Sequence, residues 1–159
     1  MKNEPTLLGY VGQVTGDTVS VKQVAPISSG LAMIDGRTYR IGQVGGFVRI
    51  PQGYVDLFGV VSQVGSDAIP EALRATEGQG SRWLTVQLIG ESIGSSFERG
   101  ISQYPVVADE VHLVTETDLR KIYGVSGTGQ VVIGRLASAE SIDVRLALCA
   151  NISETPTPC

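Results

Sequence analysis

Short Val-rich runs that alternate apolar and polar residues, hinged at Gly-Asp or Asp-Gly pairs, constrain this chain more than any other feature. In "LGYVGQVTGDTVSVKQV" two such runs, Val11 to Val14 and Val19 to Val24, meet at Gly16-Asp17. Alternation sends successive side chains to opposite faces, and glycine supplies the backbone angles of a tight turn, so the stretch predicts a β-hairpin. "AMIDGRTYRIG" repeats the device at Asp35-Gly36 and predicts a second hairpin.

The pattern continues down the chain. Phe47, Val48 and Ile50 form an apolar run broken at Pro51-Gln52-Gly53, after which apolar residues resume through Val64, with Gly59 marking a bulge or sharp bend. Residues 66–81 are polar, charged and Gly-rich, and are expected to be a mobile excursion with room for a short helix around Pro70 to Ala75. "RWLTVQLIGE" restores strand character, with Leu84, Val86 and Leu88 on one face. An irregular loop closed by Pro105 then leads to a strand from Glu110 to Val114. A short helix follows near 116–123, begun by Thr115 with Asp118 three residues on, and ended by Arg120, Lys121 and Gly124. "QVVIGRLA" and "SIDVRLAL" are expected to close the domain.

Twenty glycines suit many tight turns between short strands. The expected fold is therefore mainly β: a small closed or partly open antiparallel β-barrel with one short α-helix and no βαβ alternation. The expected organisation is a flexible N-terminus at 1–6, one barrel domain over 7–148, and a disordered tail at 149–159, the aperiodic "CANISETPTPC".

Charge and composition exclude several classes of function. The 159 residues are 42% hydrophobic and 18% charged, and no apolar run approaches a membrane span of about 18 residues. The first residues lack a secretory pattern, so a cytoplasmic location is expected, and the sequon Asn151-Ile152-Ser153 carries no weight there. A net charge of −4 with 12 scattered basic residues argues against a dedicated nucleic-acid surface. Cys149, Cys159 and the single His112 make neither a metal site nor a disulfide framework.

Four sets of residues invite chemistry, and each has a plainer reading. "GVSGTGQV" spaces Gly124 and Gly129 as a phosphate-binding loop does, but Gln130 and Val131 replace the required Lys and hydroxyl, and the loop leaves a helix instead of entering one. His112 lies beside Asp109 and Glu110 but has no nucleophile elbow, and reads as a surface strand residue. The pairs Asp109-Glu110 and Glu116-Asp118 read as opposite strand faces and as helix-start acids. Tyr10, Tyr39, Phe47, Tyr54, Phe58, Trp83 and Tyr104 could stack single-stranded nucleic acid, yet lack basic flanks and read as core or interface. These residues predict a non-catalytic barrel with binding or assembly roles, a nucleic-acid-binding small β-barrel that uses surface aromatics being the alternative.

Taken together, "LLGYVGQVTGDTVSV", "GRTYRIGQVGGFVRIP", "LFGVVSQVG", "FERGISQYPVVADEVHLVTETDLRKIYG" and "VVIGRLASAESIDVRLAL" resemble the N-terminal domain of HerA-type ATPases, hexameric DNA-translocating motors of the FtsK-like branch. That domain is called the HAS-barrel for its likeness to the N-terminal barrels of rotary ATP synthase subunits. The resemblance covers about residues 7–148, and its most specific positions are Arg99, Gly100, Pro105, Asp109 and Gly134. It implies a barrel that self-associates within a hexamer and docks a NurA-type nuclease or another effector, in DNA end processing or anti-phage defence. The family's motor domain follows the barrel and binds ATP, Mg and DNA. This chain leaves the family pattern after Leu148 and has no G-K-[ST], so no cofactor and no DNA contact are expected here. Ser102, Gln103 and Tyr104 are the candidate contact loop.

Overall fold

The computed structural model describes residues 6–24, 31–34, 36–66, 82–94, 96–123, 129–136 and 139–147. They fall into two compact units, Met1–Val114 and Thr115–Cys159. The first contains β1 (Leu7–Thr15), β2 (Thr18–Gln23), β3 (Leu31–Ile34), β4 (Arg37–Arg40), β5 (Phe47–Gln52), β6 (Val55–Ser66), β7 (Arg82–Ile93), β8 (Ser96–Arg99) and β9 (Glu110–Leu113). The second contains α1 (Glu116–Tyr123), β10 (Gln130–Leu136) and β11 (Ala139–Ala147).

Six strands close into an antiparallel barrel in the order β1, β2, β7, β6, β5, β9 and back to β1. Two hairpins arise where the sequence places them: β1 and β2 turn at Gly16-Asp17, with Gly16 at φ 59, and β3 and β4 turn at Gly36, with φ 75. Asp35 lies outside the described residues. Closure depends on a long-range pairing, Thr18 to Lys22 of β2 against Gln87 to Trp83 of β7. A closed ring gives each of its strands a neighbour on both sides over at least part of its length.

The strand β5 differs from expectation. It runs through Pro51 to Gln52 and turns at Gly53-Tyr54, so proline does not end it. On its other side β5 pairs with β9 only at Val48 and Arg49. Pro51 therefore occupies a stretch with one unpaired side, where a residue without an N–H is tolerated.

A bulge does occur at Gly59, though the extra residue is Ile89 on the partner strand: Phe58 pairs with Gly90 and Gly59 with Leu88. Gly59 faces inward, and a Cβ there would collide with the side chain of Val86. The interior is filled by the alternating faces, including Val11, Val21, Val48, Leu57, Leu84 and Val86. Each such side chain contributes about 1.5–3 kcal/mol relative to an exposed one. Ile34 and Ile41 add to this core from the β3–β4 side. Phe58, on the outer face of β6, is fully buried and meets the ring of Phe97 on β8 edge-on, with centroids 6.0 Å apart.

In the second unit α1 begins with a reciprocal cap. The hydroxyl of Thr115 accepts from the Asp118 N–H at 3.4 Å, while the Asp118 carboxylate accepts from the Thr115 N–H at 3.1 Å and from its hydroxyl at 2.8 Å. Gly124, the expected cap at the other end, lies outside the described residues. The helix is also tied to β11, since the Ser141 hydroxyl donates to Glu116 Oε1 at 2.6 Å.

The sequence pattern expects the last two strands to close the domain. Among the described residues β10 and β11 pair only with each other, in a separate two-stranded sheet. The excursion at 67–81, residues 1–5 and the tail at 149–159 lie outside the described residues, whereas Ser66 belongs to β6 and the Thr6 carbonyl accepts from the Leu113 N–H at 2.8 Å. Among the described residues no helix is long and apolar enough to cross a membrane.

Candidate docking surfaces

The strands fix which parts of the chain share an end of the barrel. The hairpin turn at Gly53-Tyr54, the end of β7 at Ile93 with the β7–β8 turn, and the segment from Gly100 to Asp109 that enters β9 all lie at one end. Three features hold that segment. Gly100, at φ 92, takes a backbone conformation that suits glycine and donates its N–H to the Ile89 carbonyl at 3.4 Å. Ser102 is bound twice by Glu91, a buried carboxylate at the end of β7. Pro105 is buried and anchors the middle.

The segment closes in a tight turn over Val106, Val107, Ala108 and Asp109, with the Asp109 N–H bonded to the Val106 carbonyl at 3.2 Å. Ala108, its third residue, has φ 75, the conformation a type II turn requires and that glycine normally supplies. The conformation is over-determined. The Ala108 N–H donates to the Val11 carbonyl at 2.8 Å, the Val11 N–H to the Asp109 carbonyl at 2.9 Å, and Asp109 Oδ2 accepts both the Val106 N–H at 2.7 Å and the side-chain amide of Gln52.

This scaffold turns apolar side chains into solvent. Val106 and Val107 are each 63% exposed, Tyr54 is 96% exposed, and Ile93 and Tyr104 are more than half exposed. Of the residues singled out from sequence, Arg99, Gly100, Pro105 and Asp109 all belong to β8 or to this segment, whereas Gly134 lies in the second unit. Gly134 sits at a register shift in β10 with open space around it. Gln103 and Tyr104 are exposed, while Ser102, though exposed overall, directs its polar groups at Glu91. Sequence reasoning missed Val106 and Val107, although an apolar pair next to a proline in an irregular segment was a readable signal.

A second apolar surface lies on the β10–β11 ribbon. Pairing puts Val131 with Leu146 and Gly134 with Val144 on one face, and Val132 with Arg145 and Arg135 with Asp143 on the other. The second face carries its own ion pairs, Arg135 and Arg145 both lying within 4 Å of Asp143, at 3.8 and 3.9 Å. The paired residues of the first are uncharged, and Val131 and Leu146 on it are exposed, as is the unpaired residue Ile133, whereas Ile142 farther along β11 is buried.

The residues considered for chemistry are placed as follows. His112 is 2% exposed, not a surface residue; its ring lies between a Thr6 hydroxyl at 3.1 Å and the Glu110 carboxylate at 3.4 Å, with Arg49 as cross-strand neighbour. Its burial comes from what packs over the outer face of the sheet, which strand alternation does not report. Among the phosphate-loop-like residues, 124–128 lie outside the described set, Gly129 is in a turn at φ 82, and Gln130 and Val131 are strand residues. Of the aromatics, Phe58 is buried, Tyr10, Tyr39, Phe47 and Trp83 are half-buried, and Tyr54 and Tyr104 are exposed. Among the described residues no group of three or more His, Cys, Asp or Glu is arranged to hold a metal. A cleft of about 240 Å³ lies at the other end of the barrel, between Gln23, Ile41, Val64, Ser66 and Arg82. The chain matches no protein-family model and no curated protein.

Proposed function

We infer that the chain is a non-catalytic assembly and partner-docking barrel of the kind found at the N-terminus of HerA-type DNA-translocating ATPases. The observation that carries the assembly role is the exposure of Val131 and its cross-strand partner Leu146 on the β10–β11 ribbon. A two-stranded ribbon is marginal in water by itself, and the exposed side chains of Val131 and Leu146 extend an apolar strip whose continuation at Ile142 is already buried. The closed six-stranded barrel is compatible with the HAS-barrel resemblance and supplies a rigid base for such contacts.

In this reading copies of the chain associate within a hexamer, and an effector such as a NurA-type nuclease docks on the barrel during DNA end processing or phage defence. ATP, Mg and DNA belong to a motor domain with its own phosphate loop. The test is sedimentation of the purified chain over a wide concentration range, beside Val131→Asp and Leu146→Asp. Self-association that rises with concentration and is lost in both variants is expected. A wild-type chain that remains monomeric throughout removes the assembly role.

The nucleic-acid alternative draws on one observation, the full exposure of Tyr54 with Tyr104 at the same end. That end is acidic, which opposes phosphate. Salt-sensitive binding of single-stranded oligonucleotides, abolished by Tyr54→Ala, would favour it over the docking role.

A further inference from the structure

We propose that the end of the barrel formed by Tyr54, Ile93, Tyr104, Val106 and Val107 docks a partner segment whose apolar side chains are flanked by Lys or Arg. This rests on the docking half of the function inferred above and adds the chemistry of the partner.

Three independent observations meet there. The apolar side chains come from three separate parts of the chain, the β5–β6 turn, the end of β7 and the segment before β9, and none of them is covered. The pair Val106-Val107 is held outward by a strained backbone, because Ala108 keeps φ 75 with its N–H committed to Val11 and its neighbour Asp109 committed to Gln52. An L-residue in that region costs about 1–2 kcal/mol, a cost that folding alone gives no reason to keep where glycine would serve.

Charge then selects the occupant. Glu98, Asp109 and Glu110 carry negative charge around this end, with Glu91 beneath the segment. The cations there among the described residues are Arg99 and Arg49, and Arg49 is engaged by Asp56 at 3.4 Å. Phosphate and anionic lipid are disfavoured by such a surface. A peptide with basic flanks gains both steering and specificity from it, while the exposed Tyr and Val side chains take its apolar residues. The paired residues of the ribbon face, by contrast, carry no charge, and the cleft between Gln23 and Arg82 borders residues outside the described set.

The experiment measures fluorescence polarisation of three synthetic peptide sets against the whole chain: Leu, Val and Tyr cores flanked by Lys, the same cores flanked by Glu, and Ser-Gly cores flanked by Lys. Binding of the first set, weaker by about tenfold or more for the other two, is expected. The double variant V106S/V107S should lose the same margin, and Glu98→Gln with Glu110→Gln should erase the preference for Lys over Glu flanks. A circular dichroism melt of each variant checks that it is folded. Equal binding of Glu-flanked peptides, indifference to V106S/V107S, or no binding of any set overturns the proposal, as does loss of self-association in V106S/V107S, which would make this end a contact between copies. If the peptides bind as expected and the wild-type chain does not self-associate, the assembly role alone falls.

Discussion

Glu91 holds Ser102 at two points: its Oε2 accepts the Ser102 backbone N–H at 2.8 Å and the Ser102 hydroxyl at 2.9 Å. The carboxylate is buried at the end of β7, and it pins the start of the segment that carries Tyr104, Val106 and Val107. Hydrogen bonds to a charged group are worth about 1.5–3 kcal/mol net. Glu91→Ala should therefore lower unfolding free energy by about that amount in urea titrations. Amide exchange should rise first at residues 101–104, and unchanged protection there would show that Pro105 alone anchors the segment.

Ala108→Gly should stabilise the protein, which reverses the usual sign for that substitution. Glycine relieves the left-handed strain at φ 75, and the gain exceeds the added freedom of the unfolded chain, leaving about 0.5–1 kcal/mol. Ala108→Val should destabilise, since a β-branched side chain fits that conformation least. The midpoint of chemical unfolding reads both.

Gly59→Ala places a methyl group against the Val86 side chain inside a filled barrel. Overpacking of this kind costs about 1–3 kcal/mol. Val86→Ala removes the nearer obstruction, leaving the Gln87 carbonyl oxygen at 3.0 Å, so the double variant should lose less than the sum of the two single losses, and a double-mutant cycle measures the difference. Additive losses would mean that the bulge at Ile89 absorbs the extra methyl.

Ser92 is buried on the outer face opposite Asp56, and its hydroxyl has no hydrogen-bond partner; the Arg49 Nε is in the same condition. An unsatisfied buried hydroxyl costs about 1–3 kcal/mol. Ser92→Ala should accordingly be neutral or raise the melting temperature. A clear loss of stability would reveal a water bridging that hydroxyl to its surroundings.

Much of the local structure was legible in the sequence because it depends on short-range physics. The turns at Gly16-Asp17 and Gly36, the inward face of Leu84, Val86 and Leu88, and the Thr115–Asp118 cap each rest on residues within a few positions of one another. The exposed apolar end of the barrel was legible only in part. Gly100, Pro105 and Asp109 signalled a special loop, but the meeting of Tyr54, Ile93 and Val106 depends on which strands are neighbours.

That neighbourhood was decided by the tertiary structure. Pairing of β2 with β7 joins segments with no local tie, and it closes the barrel. Phe58, against Phe97 of β8, and His112, between Thr6 and Glu110, are buried on the outer face, where alternation alone would expose them. A residue's pattern in sequence determines which face of its strand it occupies; whether that face meets water depends on the strands and side chains laid against it, and those come from distant parts of the chain.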